Sequence, residues 1–506
     1  MKRSLTLPPT RTRGPGATAG ARTAATTTAA AATTAAVIAA LCFAVPQSAS
    51  AAPRTAQAAP AVGDSRTVTQ PTLPGTCETL TATLSTSDEK FSSGDEASPP
   101  DTSRIQSALT SCAGSDKAVV LAASGSDDAF LSAPLTIGSG VYLVIDGGVT
   151  LYASLVASEY QVSGSSDTCG EIESSDNGCK AFVTVTGSNS GIEGTANASG
   201  TRGEIDGRGD QDVYGTSTTW FDLANTATSE SEKQNNPRLV QATDANDFTV
   251  YDLDLVNSPK EHLYYQGGNG FTVWGLEIKT PATAHNTDGI DIDSTQNATV
   301  NDSYIQDGDD GVAIQTNSAA AKDITVENSH FYGTHGISIG SETTYGVSSV
   351  LVENNTIQGT DSSGNKSSSN NGLRIKSDSS AGGDVDDIVY DDNCLTGVED
   401  LLDFNPFYSS GDGDHVPDFQ SVTVNGLKSV SSASGAESVL EGYSSSDPLG
   451  LTLENVSLDV TKTSAEYADV GLYDTNISPS GTDVTTSSVS GSGSVPSCSF
   501  PSYPAL

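Results

Sequence analysis

The sequence predicts an all-β chain wound into a single-domain right-handed parallel β-helix, and three observations carry that prediction. The first is a repeat. FTVY from Phe248, FTVW from Phe271, ATVN from Ala298, ITVE from Ile324 and VLVE from Val350 open successive units, at steps of 23, 27, 26 and 26 residues. The second is the content of each unit: a β-branched run, an Asn/Asp/Gly turn, and a second apolar strand such as Ile290–Ile292 or Ile337–Ile339. The third is that helical periodicity is nearly absent between the units. A propeller blade would need four strands and roughly 40 residues, and a sandwich would not repeat so regularly. A solenoid also suits the length, because a one-dimensional stack has no upper limit on its core.

In chain order, residues 1–51 read as a secretory signal. Five basic residues (Lys2, Arg3, Arg11, Arg13, Arg22) and no acids lead. The apolar run Ala35 to Val45 follows, then Ala49-Ser50-Ala51 as a small-residue cleavage site. No other stretch is long and apolar enough to span a bilayer. Residues 52–75, rich in Ala, Pro and Thr, read as a linker or processed leader, and the β-helix is assigned to 76–506. Near its start, Ile105, Ala108, Leu109 and Cys112 fall at helical spacing. Ser103 with Gln106 fits a capping box, so a short helix is expected to cover the open end of the stack. Looser copies of the repeat start at Ile388, Val422 and Leu451.

Cleavage near Ala51 would take five of the 23 Lys+Arg and none of the 63 Asp+Glu, leaving 18 against 63 and a net charge of −45. Nucleic acid or an anionic membrane would need basic patches, and the sequence has none, so neither is expected as a partner. Six cysteines remain beyond the signal, an even count that suggests disulfides, with 15 possible connectivities. Cys169 with Cys179 is the easiest local pair. No CxxC or Cys/His cluster suggests a metal site.

Four short motifs follow in order: Asn286-Thr287-Asp288, Gly308-Asp309-Asp310, His335-Gly336 and Arg374-Ile375-Lys376. Each alone reads as an ordinary turn or strand. Asp288 to Asp309 is 21 residues and Asp309 to His335 is 26, close to one coil, so the motifs should stack on one face. Three carboxyl groups meet the needs of glycoside hydrolysis, where one protonates the leaving oxygen and another activates water. Crowded carboxylates raise one another's pKa, so one can stay protonated while another is ionised. A regular strand would send Asp309 and Asp310 to opposite faces, and Gly308 and Gly311 allow a turn that aims both inward. Strand alternation puts Arg374 and Lys376 on one face, a local positive patch for an anionic chain. A calcium loop is disfavoured because Gly311 stands where a third acidic ligand should be.

At these residues the chain resembles the polygalacturonases of glycoside hydrolase family 28, and most of all the bacterial endo-acting members. Ile205-Asp-Gly-Arg-Gly, Pro237-Arg-Leu-Val-Gln and Gly270-Phe-Thr-Val-Trp add to the match, which covers roughly residues 74 to 425. The resemblance implies hydrolysis of α-1,4-galacturonan (pectin) with inversion and without metal or cofactor. It implies Asp309 as general acid, Asp288 and Asp310 as the water-activating pair, and His335 in support. Asn286, Arg374, Lys376 and Tyr408 would bind galacturonate. It also implies Cys77–Cys112 and Cys169–Cys179 pairing, leaving Cys394 with Cys498. The chain is expected to act as a monomer.

Three departures stand out: Thr334 where the family has glycine before His335, His285 where close members have arginine, and an insert at 361–370 that could narrow one end of the cleft. The insert is the sequence hint toward exo action. A calcium-dependent pectate lyase and a non-catalytic pectin-binding β-helix are the competing readings.

Overall fold

The computed structural model describes residues 62–506; the expected signal, and the linker up to residue 61, lie outside the described residues. The chain winds as a right-handed parallel β-helix in which each coil contributes one short strand to each of three sheets, here called B, C and A in the order the chain visits them. One coil, for example, runs Gln296–Asn301 in B, Tyr304–Gln306 in C and Val312–Gln315 in A. The repeat anchors stack as the spacing predicts. Phe248, Phe271, Ala298, Ile324, Val350, Ile388, Val422 and Leu451 pair in one parallel register along sheet B.

That register follows from burial. Alternate residues of each strand point into the stack, so a one-residue slip would expose a whole coil. The inward column of sheet A is Ile290, Val312, Ile337, Leu373 and Leu402, all essentially inaccessible. Phe248, Tyr265 and Phe271 stack inside the N-terminal half, with ring centroids 4.3 to 6.2 Å apart. The turn from B to C takes one residue per coil through the left-handed region: Asp252, Gly275, Asp302, Asn328, Asn354, Asp392, Gly426 and Asn455. Only Gly, Asn and Asp tolerate that conformation well, which is why the sequence repeats them there.

The helix Thr102–Cys112 packs its buried face, Ile105, Ala108, Leu109 and Cys112, against Lys117–Ala122 and Leu135–Ile137 at the N-terminal end. The expected capping box is not formed. The helix begins two residues early, with Asp101 rather than Ser103 at its N-cap, and the Asp101 carboxylate accepts from Leu131 N (2.7 Å) and Arg104. Gln106 instead bridges to the Thr136 backbone. A second helix, Trp220–Glu230, was not apparent from the repeat pattern. It carries a capping box of its own, made by Thr219 and Asp222.

Part of the segment expected as a linker lies across sheet B. Asp64 accepts from Thr299 Oγ1 (2.7 Å), its backbone N–H donates to Thr325 Oγ1 (2.9 Å), and Arg66 Nη2 donates to Phe271 O (2.8 Å). At the other end, the tail turns back over sheet C. Pro501 O accepts from Tyr332 and Gln358, and the Tyr503 hydroxyl donates to Ile278 O. Three disulfides form: Cys77–Cys112 and Cys169–Cys179, the pairs the resemblance implies, and Cys394–Cys498, the pair left over.

Candidate active site

The first three motifs occupy the loops that carry the chain from sheet C to sheet A in three consecutive coils, and the fourth lies on the sheet A strand of the next coil. Each loop is built to hold its acid. Thr287, fully buried, donates to Ala284 O (2.8 Å) and accepts from Gly308 N (3.0 Å), tying the first loop to the second. Beneath it His262 is clamped between Thr280 Oγ1 (2.7 Å) and the Asp288 carbonyl (3.0 Å). Burial pushes its pKa down to about 4, so it supports this loop as a neutral ring.

The second loop is the turn that Gly308 and Gly311 were expected to permit. Their role is close approach: a Cβ on Gly308 would lie 1.9 Å from Ala284 O, and one on Gly311 would lie 2.5 Å from the Phe331 ring. Asp307 accepts from the Asp309 N–H (2.9 Å), and Asp309 from the Asp310 N–H (3.0 Å), which turns both acids toward the cleft side. In the third loop Gly333 and Gly336 take the left-handed positions. Thr334 therefore needs no glycine-like backbone, and its hydroxyl accepts from Gly336 N (3.0 Å).

The side chains then meet. Asp309 Oδ1 lies 2.8 Å from His335 Nδ1, and Asp309 Oδ2 accepts from Asn286 Nδ2 at 3.1 Å. Asp310, 1% exposed, accepts from Lys376 Nζ (2.7 Å) and Ser338 Oγ (2.7 Å). Arg374 Nη1 is 3.9 Å from Asp310, while Arg374 Nε donates to Asp403 (3.0 Å). Tyr408 lies about 5 Å from both cations, with its ring centroid 5.0 Å from Arg374 and 4.9 Å from Lys376. One cleft is thus lined by Asn286, Asp309, His335, Arg374 and Tyr408, together with His285. Its walls are Lys233 and Gln234 on one side and Ser368 and Ser369 of the insert on another. Ser368 Oγ reaches His335 Nε2 at 3.3 Å.

Charges divide unevenly among the acids. Burial first, then the charges of Asp309, Asp291 and Asp310, hold the Asp288 carboxyl well above the usual range. For Asp309 burial acts the same way but is outweighed by the charge and hydrogen bond of His335, then by Lys376, and its carboxyl is held below that range. Of these two acids the elevated carboxyl is therefore Asp288 and not Asp309, the expected proton donor. Burial would lower Lys376, but Asp310 beside it holds it above the usual lysine range. Asp309, Asp310 and His335 each bring a donor atom to within 4.8 Å of the others, a set able to hold a cation. Lys376 Nζ already supplies a positive charge to Asp310 there.

Several contributors are not apparent from the motifs. Ser338, Asp403 and Asp291 come into play through sheet register, since Asp291, Ala313, Ser338, Arg374 and Asp403 form one outward column. Asp291 is three residues past Asp288 and Ser338 three past His335, so coil alignment extended past the motifs could have found both. Gln234 and Ser368 carry no such signal.

Known proteins resemble this chain over most of its length. The profile of Glycosyl hydrolases family 28 matches residues 149–478. The endo-polygalacturonase of Pectobacterium carotovorum subsp. carotovorum is 41% identical over 360 residues, covering 71% of this chain and 84% of that protein. A polygalacturonase of Ralstonia solanacearum is 37% identical over 413 residues, covering 74% and 75%. The solved polygalacturonase from Erwinia carotovora ssp. carotovora superimposes with a TM-score of 0.68 at 37% identity, over 80% of this chain and 99% of that one. The exopolygalacturonase of Thermotoga maritima, 17% identical with a TM-score of 0.56 over 80% and 89%, shares the fold. With a profile that spans most of the coils and takes in all four motifs, the chain belongs to glycosyl hydrolases family 28.

Proposed function

We propose that the chain is an extracellular polygalacturonase, acting as a monomer, that cleaves internal α-1,4-galacturonosyl linkages with inversion. The observation that carries this reading is the pairing of Asp309 with His335 in the cleft, with the buried Asp310–Lys376 pair against it and the Arg374 guanidinium beside them. The names of the relatives supply the substrate class. No helix among the described residues is long and apolar enough to cross a membrane.

In this reading a galacturonate carboxylate docks against Arg374 and Lys376, with Tyr408 and Asn286 in contact with the sugar. Asp309, supplied through His335, gives its proton to the glycosidic oxygen as the C–O bond breaks. Asp288 and Asp310 hold a water on the opposite face; its oxygen bonds to the anomeric carbon and its proton passes to that pair. Asp309 keeps its acid function in this reading because the 2.8 Å contact with His335 gives a proton a path onto the carboxyl.

Asp309→Asn is expected to lower kcat by about 10²–10⁴-fold while polygalacturonate still binds. Turnover near the wild-type rate would remove Asp309 from the role. Endo action is tested with polygalacturonate and a chelator, following viscosity against reducing ends. A viscosity collapse at few cleaved bonds supports it. Steady release of reducing ends at nearly constant viscosity would favour an exo enzyme, a reading supported by Ser368 and Ser369 standing in the cleft wall. Loss of activity with the chelator and an unsaturated product would point to a lyase.

A further inference from the structure

Gln234 stands outside every motif, yet its side chain reaches the acid through one intermediate. It ends the two-residue strand Lys233–Gln234, which pairs antiparallel with Ile172–Glu173 after the helix Trp220–Glu230. The residue is 4% exposed, and its Nε2 donates to Asn286 Oδ1 at 2.9 Å. Asn286, held at φ 56°, donates from Nδ2 to Asp309 Oδ2 at 3.1 Å.

The direction of this line is forced by chemistry. An ionised carboxylate has only lone pairs to offer, so Asn286 must turn its NH₂ toward Asp309. Its own carbonyl oxygen then needs a donor, and Gln234 is the side chain that supplies one. If Asn286 turned over, its oxygen would face Asp309 Oδ2 and would accept the acid's proton into a hydrogen bond directed away from the sugar.

We infer that Gln234 is a positioning residue for the proton donor: by fixing the sense of the Asn286 amide, it keeps the Asp309 proton available to His335 and the glycosidic oxygen. The inference rests on the reading of Asp309 as the acid. Asp309 is faced by Asp288 from the coil before, Asp307 and Asp310 in its own turn, His335 from the coil after, and Lys376 beyond. On the wall that carries Gln234, the neighbouring charged groups are Glu232 and Lys233, with His285 on the Asn286 loop.

Two variants separate this role from a structural one. In Gln234→Glu the new carboxylate can only accept, so Asn286 turns its NH₂ to residue 234 and its oxygen to Asp309, which favours a protonated but misdirected acid. The expected result is a kcat about 10- to 100-fold lower, a smaller change in KM, and an alkaline limb of the kcat–pH profile moved to higher pH. Gln234→Met removes the donor without adding charge; it should lower kcat less and leave the limb in place. If both variants lose activity only in step with thermal stability, with the limb unmoved in each, Gln234 merely holds the wall and the inference falls. Wild-type kcat and profile in Gln234→Glu would also overturn it. Asp309→Asn run in parallel keeps the two ideas apart. Turnover in that variant defeats the acid assignment itself, whereas an inactive Asp309→Asn beside an unshifted Gln234→Glu defeats only the role of Gln234.

Discussion

The Lys376–Asp310 pair shows how much of this site depends on single side chains. The lysine is 8% exposed at its side chain and the aspartate 1%, with 2.7 Å between them. A buried pair of this kind gains little over a well-packed apolar replacement, but breaking it leaves one charge stranded. Lys376→Met should therefore destabilise the fold by about 3–5 kcal/mol and abolish turnover, as read from urea unfolding and rate assays. Lys376→Arg should keep most of the stability and still lose activity, because a planar fork cannot replace a point charge held between Asp310 and the Tyr408 ring. Unchanged stability in Lys376→Met would show that Asp310 is stabilised by other groups. The four motifs were legible in the sequence because their residue types and their coil spacing point to the same chemistry. Their supporting residues were not, because register and loops bring them in from afar: Gln234 lies 52 residues from Asn286, Ser368 lies 33 from His335, and Ser338 lies 28 from Asp310. Nor did crowding alone foretell which carboxyl is elevated. His335 reverses the effect at Asp309 and leaves it standing at Asp288.

Within the repeating element, the turn from sheet B to sheet C explains why the units recur so cleanly. Asn328 sits there at φ 52°, donates to Asn301 Oδ1 (3.1 Å), and accepts from Asn354 Nδ2 (2.7 Å), so neighbouring turns are linked along the stack. Asn328→Val should lower unfolding stability by about 2–4 kcal/mol, from left-handed strain in a β-branched residue plus the lost ladder bonds. Asn328→Gly loses the bonds but no strain, and should cost about 1 kcal/mol or less by the same assay. Equal losses in the two variants would mean that backbone strain contributes nothing at this turn. Such periodic constraints made the coils readable from sequence, since each anchor pairs with its counterpart one coil away. The helices were less readable because they interrupt the pattern. Trp220, Ala224 and Ala227 are the buried face of one, at the i, i+4, i+7 spacing of an amphipathic helix, inside a stretch otherwise rich in Thr, Ser and Asn. At the N-terminal helix, Asp101 was claimed by the Leu131 N–H of a neighbouring strand, a tertiary contact that displaced the local capping box.

Across the whole molecule, the same stacking turns an acidic composition into rows of like charge. Glu204 pairs in register with Asp254, and Asp254 with Glu277, so carboxyl groups recur roughly every 4.8 Å with Arg202 laid against them. Burial, then Glu277, pushes Asp254 up to about 8, with Arg202 opposing. Burial takes Glu193 to about 7, and burial with neighbouring acids takes Asp391 and Asp400 each to about 6. Folded-state values above the unfolded ones mean that the native chain binds more protons than the unfolded chain between those limits, so unfolding stability has a negative slope against pH. The contribution is fully present below about pH 4, where both states are protonated. It is lost as pH rises through about 6 to 8 for these four groups. The summed effect should be on the order of several kcal/mol, so Tm is expected to be highest in mildly acidic buffer and to fall steadily toward pH 8.5. Asp254→Asn should flatten that slope and raise Tm at pH 8.5 relative to wild type, because the amide has no charge to desolvate. A Tm that rose with pH, or an Asp254→Asn variant with an unaltered slope, would show that these stacked carboxyls are solvated well enough to ionise freely. An acid-side bias would match the chemistry in the cleft, where activity should also fall as pH rises and the proton given to the leaving oxygen becomes unavailable.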